Sequence, residues 1–139
     1  MILLKRILIL EDNLLVLAKL LAKLADLEGD QPFDLSLTIL TDYLQVENFI
    51  NNNPNAEFDI ILLDRDDKLN RSFHVLDIER LGVDKVIGIS TVQEYNEELR
   101  KRGVSKIVQK DLANTDAFLE TLINTLQFML QKMNYRSEK

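Results

Sequence analysis

Five short apolar runs alternate with five stretches of helical period along this chain, and that alternation limits the folds open to it more than any other feature. The runs lie at residues 7–10, 35–40 (with polar Ser36 and Thr38 interleaved), 60–63, 86–89 and 106–108. Runs so short, rich in Ile and Val and bounded by turn residues, read as strands, and those without polar alternation suit a sheet buried on both faces. Strand and helix in alternation, with short connections, predict parallel pairing and right-handed crossovers. The expected product is one α/β domain with a single doubly wound sheet of five parallel strands and helices on both faces. A length of 139 residues suits one domain. It is expected over 1–135, with 136–139 as a disordered C-terminal tail.

The helical segments can be placed in turn. Leu14, Leu17, Leu21 and Leu24 form the stripe of the first, widened by Ala18 and Ala25. Thr41 or Asp42 caps the second, which carries Leu44, Val46, Phe49 and Ile50 and fades into Asn51-Asn52-Asn53-Pro54. Ser72 precedes a short third, with Phe73, Leu76 and Leu81, stopped by Gly82. Thr91 and Glu94 make a capping box for the fourth, which ends at Gly103. The last begins near Asn114 and Thr115 and carries Leu119, Leu122, Ile123, Leu126, Leu130 and Met133.

Composition narrows the function classes. A formal net charge of -6 argues against general affinity for nucleic acid or anionic lipid. The chain has no cysteine, which removes disulfides and thiolate metal sites. The apolar start MILLKRILIL is interrupted by Lys5 and Arg6, ends at Glu11 and Asp12, and has no small-residue cleavage pattern. No run approaches the roughly 18 apolar residues a membrane-spanning helix needs. A soluble, cytoplasmic protein is expected.

In a doubly wound sheet the functional positions lie just past the carboxyl ends of the strands. Here those positions are Glu11 and Asp12 after the first strand, Asp64 after the third, Ser90 and Thr91 after the fourth, and Lys110 after the fifth. If the first and third strands are neighbours, their ends lie about 4.8 Å apart, so three carboxylates share one pocket. Crowded carboxylates raise one another's pKa, and a hard divalent cation such as Mg²⁺ relieves the conflict by taking their oxygens.

The segments ILILEDN, DIILLD, VIGIST and GVSKIVQKD, each at a strand end and in this order, resemble the receiver domain of two-component response regulators over roughly residues 5 to 130. The last segment keeps the spacing of that family's Gly-Ala-x-x-Tyr-Leu-x-Lys-Pro pattern, with Gly103 and Lys110 in place. The resemblance, not the periodicity, supplies the sheet order 2-1-3-4-5, a flavodoxin-like (CheY-like) arrangement. It also implies roles. Asp64 would be the phosphoacceptor, attacking a phosphohistidine or small acyl phosphate. Asp12 would bind Mg²⁺ directly, Glu11 directly or through water, with Asp64 and the backbone carbonyl of Asp66 as further ligands. Lys110 would pair with the phosphoryl group and Ser90 would hydrogen-bond to it, Thr91 being the rival hydroxyl. Such a protein is not a turnover enzyme. Its partners would be a histidine kinase or phosphotransfer protein and a downstream protein, with no direct nucleic-acid or membrane contact. The apolar last helix could pack against a second copy.

Two other functions compete. Asp64-Arg65-Asp66 also resembles the Asp-x-Asp motif of haloacid-dehalogenase-like phosphatases, with Asp64 as nucleophile and Asp66 as general acid, although those enzymes carry the motif on the first strand. Alternatively, the chain is a non-phosphorylated binding module. Departures from the receiver pattern speak for this: Asp111 replaces the proline after the lysine, Lys68 stands where a proline often follows the phosphorylated strand, Thr91 occupies a usually small position, and Ile107 replaces an aromatic ring. His74, alone in mid-helix, is expected to be a surface or packing residue, and Asp67 a solvated loop acid. Without that ring, a signal from Asp64 would travel through Ser90 and the fourth helix, whose stripe of Val92, Tyr95 and Leu99 is thin.

Overall fold

The computed structural model describes residues 3–30, 33–64 and 76–137. The order is β1 (Leu3–Leu10), α1 (Leu14–Asp30), β2 (Phe33–Leu40), α2 (Tyr43–Asn52), β3 (Ile60–Asp64), α3 (Ile78–Leu81), a short 3-10 turn (Val83–Lys85), β4 (Val86–Ser90), α4 (Gln93–Lys101), β5 (Lys106–Gln109) and α5 (Thr115–Ser137). All five strands pair in parallel, in the order β2-β1-β3-β4-β5. The α/β class is as read from the sequence, and the order is the one the receiver resemblance implies.

The continuous apolar runs are explained by what lies on each face. Strand side chains alternate, so Ile7, Ile9, Ile60, Leu62, Ile87, Ile89 and Val108 meet Val16, Leu20 and Leu24 of α1 and Phe118, Leu122 and Leu126 of α5. Leu8, Leu10, Ile61, Leu63 and Val86 face the other way, toward Val46 of α2, Ile78 of α3 and Leu99 of α4. Neither face is left to water, so no polar residue interrupts β3 before Asp64. At Gly88 in β4 an added Cβ would lie 2.6 Å from Leu99 Cδ1 and 2.9 Å from Ile107 Cδ1, so those side chains would have to shift.

Several local expectations need correction. The buried stripe of α1 is Val16, Leu17, Leu20, Leu24 and Leu27, while Leu14 is 64 % exposed. The reason is the start of the helix. Asn13, not an acidic residue, caps it, its Oδ1 accepting from the N–H groups of Leu15 and Val16 at 3.1 Å. The first turn therefore overhangs the end of the sheet, leaving Leu14 and Leu15 outside. In α2 the cap is Asp42, accepting from Gln45 N at 2.9 Å. There Val46 is buried and the half-buried Phe49 meets Phe58 at 5.9 Å, but Leu44 is exposed. The Thr91–Glu94 box does not form, because α4 starts two residues beyond Thr91, with Val92 at the cap position and no side-chain cap. The predicted stripe of α4 also shifts: Leu99 is buried, Tyr95 is exposed, and Asn96 is buried instead.

The expected stops at Gly82 and Gly103 hold to within two residues. Both glycines have φ above +100°, the conformation that suits a helix end without a Cβ. The described α3 begins at Ile78, capped by Asp77, and the expected cap Ser72 and core residue Phe73 lie outside the described residues. Helix α5 begins as expected, with Asn114 Oδ1 accepting from Ala117 N at 3.3 Å. It runs on through Ser137. No glycine or proline stands between Met133 and Ser137 to stop it.

Candidate functional site

The carboxyl edge of the sheet collects the charged residues. Leu10 of β1 pairs with Leu63 of β3, so Glu11, the residue after β1, comes level with Asp64 at the tip of β3. One oxygen from each of Glu11, Asp12 and Asp64 can be chosen so that all lie within 4.8 Å of one another. Glu11 is oriented by the backbone: its own N–H donates to Leu40 O at 3.3 Å, and its Oε1 accepts from Asn13 N at 3.0 Å.

Lys110 comes from β5, two strands from Asp64, or about 10 Å at ordinary strand spacing. A long side chain is needed to cross that gap. Its Nζ donates to Asp64 Oδ2 at 2.7 Å and to Glu11 Oε1 and Oε2 at 3.0 and 3.2 Å. The ion cluster is dry: Asp64 is 0 % exposed, and Glu11 and Lys110 are 4 % exposed each. Asp12 sits at its rim, half-buried.

Burial raises the Asp64 carboxyl well above its ordinary value, the Glu11 charge pushes the same way, and the Lys110 ammonium only partly opposes them. For Lys110, burial disfavours the charge, but attraction to Asp64 and Glu11 outweighs it and the pKa rises. Among the described residues, the Lys110 ammonium thus meets Glu11 and Asp64, with Asp12 beside them. The clustered carboxylate oxygens of Glu11, Asp12 and Asp64 could hold a divalent metal ion. Asp66, Asp67, Lys68 and His74 lie outside the described residues, so the expected carbonyl ligand from Asp66 is not placed.

Ser90 ends β4, one residue past Ile89, the partner of Asp64 in the ladder. It is fully buried, and its Oγ accepts from Val92 N at 2.9 Å. Thr91 is exposed on the loop. Ile107 is half-buried, in the cluster that includes Leu99. The exposed Asp111 opens the turn into α5, its Oδ1 accepting from Ala113 and Asn114 N–H groups at 3.0 and 3.2 Å. No cis peptide occurs among the described residues.

The sequence reading missed Asn96 and Gln109. Asn96 Nδ2 donates to Gln109 Oε1 at 3.1 Å, and Gln109 Nε2 donates to Thr91 O at 3.1 Å. Asn96 lies four residues after Val92 and three before Leu99, so helical spacing alone marks it as core-facing.

No protein-family model and no curated protein matches this sequence. Solved structures do match. The phosphorylated cyanobacterial phytochrome response regulator RcpA superposes with a TM-score of 0.73 at 16 % identity, covering 92 % of this chain and 95 % of that one. The fold is that of response regulator receivers. The Mn²⁺-bound form of response regulator Rcp1 gives 0.66 at 20 % identity over 85 % of this chain and 91 % of its own. A response regulator receiver domain from Rhodospirillum rubrum gives 0.64 at 16 % identity over 91 % and 93 %. In the receiver fold the order β2-β1-β3 puts the ends of β1 and β3 side by side, which is why this chain's acidic pair and Asp64 meet. None of the described helices is long and apolar enough to cross a membrane.

Proposed function

We propose that this protein is a receiver that accepts a phosphoryl group on Asp64 and passes its state on by protein contacts. The observation that carries this is the buried cluster of Glu11, Asp64 and Lys110, with Asp12 at its rim, at the carboxyl edge of a receiver sheet. The comparisons are consistent with it in kind, since one structural neighbour is a phosphorylated response regulator and another binds Mn²⁺.

The chemistry follows from the residues. An Asp64 carboxylate oxygen attacks phosphorus in a phosphohistidine or small acyl phosphate. An O–P bond forms, the bond from phosphorus to the imidazole nitrogen or acyl oxygen breaks, and an aspartyl phosphate remains. Lys110 already directs N–H groups at Asp64 and Glu11; it turns one of them to the phosphoryl oxygens as charge builds there. Ser90 hydrogen-bonds to the group once formed. Mg²⁺, held by Glu11, Asp12 and Asp64, would neutralise negative charge on the transferring phosphoryl oxygens. The chain is a phosphoacceptor, not a turnover enzyme. Its donor is a histidine kinase, a phosphotransfer protein or a small acyl phosphate, and its output is docking to another protein. The phosphatase alternative is weaker, because Asp64 ends the third strand of the chain, not the first.

The test is incubation with acetyl phosphate, followed by intact mass. We expect one phosphoryl adduct per chain with Mg²⁺, none with EDTA, and none in Asp64→Asn. Multiple turnover of acetyl phosphate without an adduct would favour a phosphatase, and an unmodified chain in every condition would favour a silent binding module.

A further inference from the structure

Helix α4 is held to the sheet by very little. Of its nine residues only Asn96 and Leu99 are buried. Leu99 fills the hollow over Gly88. The other anchor is polar. Asn96 is 2 % exposed, and its Nδ2 donates to Gln109 Oε1 at 3.1 Å and, at the limit of hydrogen-bonding distance, to Ser90 O at 3.5 Å. Gln109 Nε2 donates in turn to Thr91 O at 3.1 Å. The carbonyl oxygens of Ser90 and Thr91 fix the sense of both amides, since turning either over would set oxygen against oxygen. In that sense Asn96 Oδ1 is buried with no hydrogen-bond partner among the described residues. A buried acceptor without a donor is costly, and a leucine would fill much the same space without that cost.

The placement suggests what the cost is for. Gln109 pairs with Ser90 across the β4–β5 ladder and precedes Lys110, whose N–H donates to Ser90 O at 3.0 Å. The two amides therefore grip the backbone of the residues that would meet a phosphoryl group, and join it to α4. We propose that Asn96 and Gln109 are positioning residues, an amide latch that holds the Ser90–Thr91–Val92 segment and α4 in the resting arrangement and opens when Asp64 is modified. The proposal rests on the phosphoacceptor reading. Ser90 and Lys110, drawn toward the phosphoryl group from either side of Gln109, strain the latch. Once it opens, Asn96 Oδ1 reaches water, so the orphaned acceptor lowers the energy needed to move α4.

By linkage, whatever favours the resting latch must weaken ligands of the modified state, and whatever loosens it must strengthen them. The probe is beryllofluoride with Mg²⁺, a phosphoryl mimic, read by its binding affinity and by amide hydrogen exchange across residues 93–101. In the unaltered protein, exchange in α4 should rise at least about fivefold when the mimic binds. Asn96→Leu fixes α4 by apolar packing, while Gln109 takes water instead. It should keep α4 protected in both states and weaken mimic binding by about fivefold. Gln109→Leu leaves Asn96 with no amide partner; it should loosen α4 without the mimic and tighten binding by a similar factor. General destabilisation would not produce opposite signs. Equal affinities in the three proteins, or shifts of one sign in both variants, overturn the latch and leave the phosphoacceptor reading standing. An unaltered protein that binds no beryllofluoride removes both.

Discussion

Lys110→Met should destabilise the fold at neutral pH by about 3 to 5 kcal/mol, the scale set when one partner of a buried ion cluster is removed. Methionine matches the length of the lysine stem, so the packing loss is small and the electrostatic loss dominates. Glu11 and Asp64 are buried, and among the described residues the Lys110 ammonium meets both at 2.7 to 3.2 Å. Without it they face each other across a dry pocket. The pH dependence follows from the pKa directions. In the parent, the raised pKa of Lys110 gives stability that is complete below its ordinary value of 10.5 and is lost as pH rises through the higher folded value. In the variant, Asp64 can reach neutrality only by binding a proton that the unfolded chain does not hold. The variant should therefore recover much of its deficit as pH falls toward the ordinary carboxylate range, and part of it when Mg²⁺ is added at pH 7. Urea unfolding at several pH values, with and without Mg²⁺, measures this. A loss below about 1 kcal/mol, the scale of an exposed ion pair, would mean that the cluster is not dry.

Asp64→Asn should do the opposite to stability while abolishing phosphorylation. Burial and Glu11 raise the Asp64 pKa above its ordinary value of 3.8. For a carboxyl raised in this way, the stabilisation from protonation is fully present below the unfolded value and is lost as pH rises through the folded one. Near neutrality the parent therefore bears a cost that an amide of the same shape avoids, and Lys110 still has Glu11 as its partner. We expect a gain of roughly 1 to 3 kcal/mol at pH 7 without Mg²⁺, the scale on which surplus buried charge acts. The gap should narrow as pH falls toward about 4, and also when Mg²⁺ stabilises the parent alone. Thermal unfolding at paired pH values checks it. A variant less stable than the parent at pH 7 would mean that the carboxylate is a net stabiliser.

Much of this architecture could be read in advance because it depends on local signals. The apolar runs of β1, β3 and β4 are continuous, which requires helices on both faces, and each run ends where a charged or hydroxyl residue begins. Parallel strands send all those ends to one edge. Other features depend on contacts that periodicity cannot show. Leu14 fits a helical stripe as well as Leu20 does, and only the position of the Asn13 cap relative to the sheet sends one outward and the other inward. Thr91 and Glu94 have capping-box spacing, but Ser90 Oγ already takes the Val92 N–H and α4 begins later. Helical spacing puts Asn96 on the inner side of α4, yet its partner on β5, Gln109, is 13 residues away and nothing local announces it. The site's own pairs are further apart still, with Lys110 separated from Asp64 by 46 residues and from Glu11 by 99. Their positions past the strand ends put those three at one edge in the sequence, and the receiver resemblance supplied the order that makes β1 and β3 neighbours.

The central claim is that the phosphoryl group goes to one carboxylate among several crowded at this edge. The most direct measurement is to treat the protein with acetyl phosphate and Mg²⁺, reduce the product with borohydride, and locate the modified residue by peptide mass spectrometry. Reduction converts an aspartyl phosphate to homoserine and leaves free carboxylates alone. We predict conversion at position 64 only, and only when Mg²⁺ was present. Conversion at Asp12, at another aspartate, or at no residue would contradict the assignment of Asp64 as the acceptor.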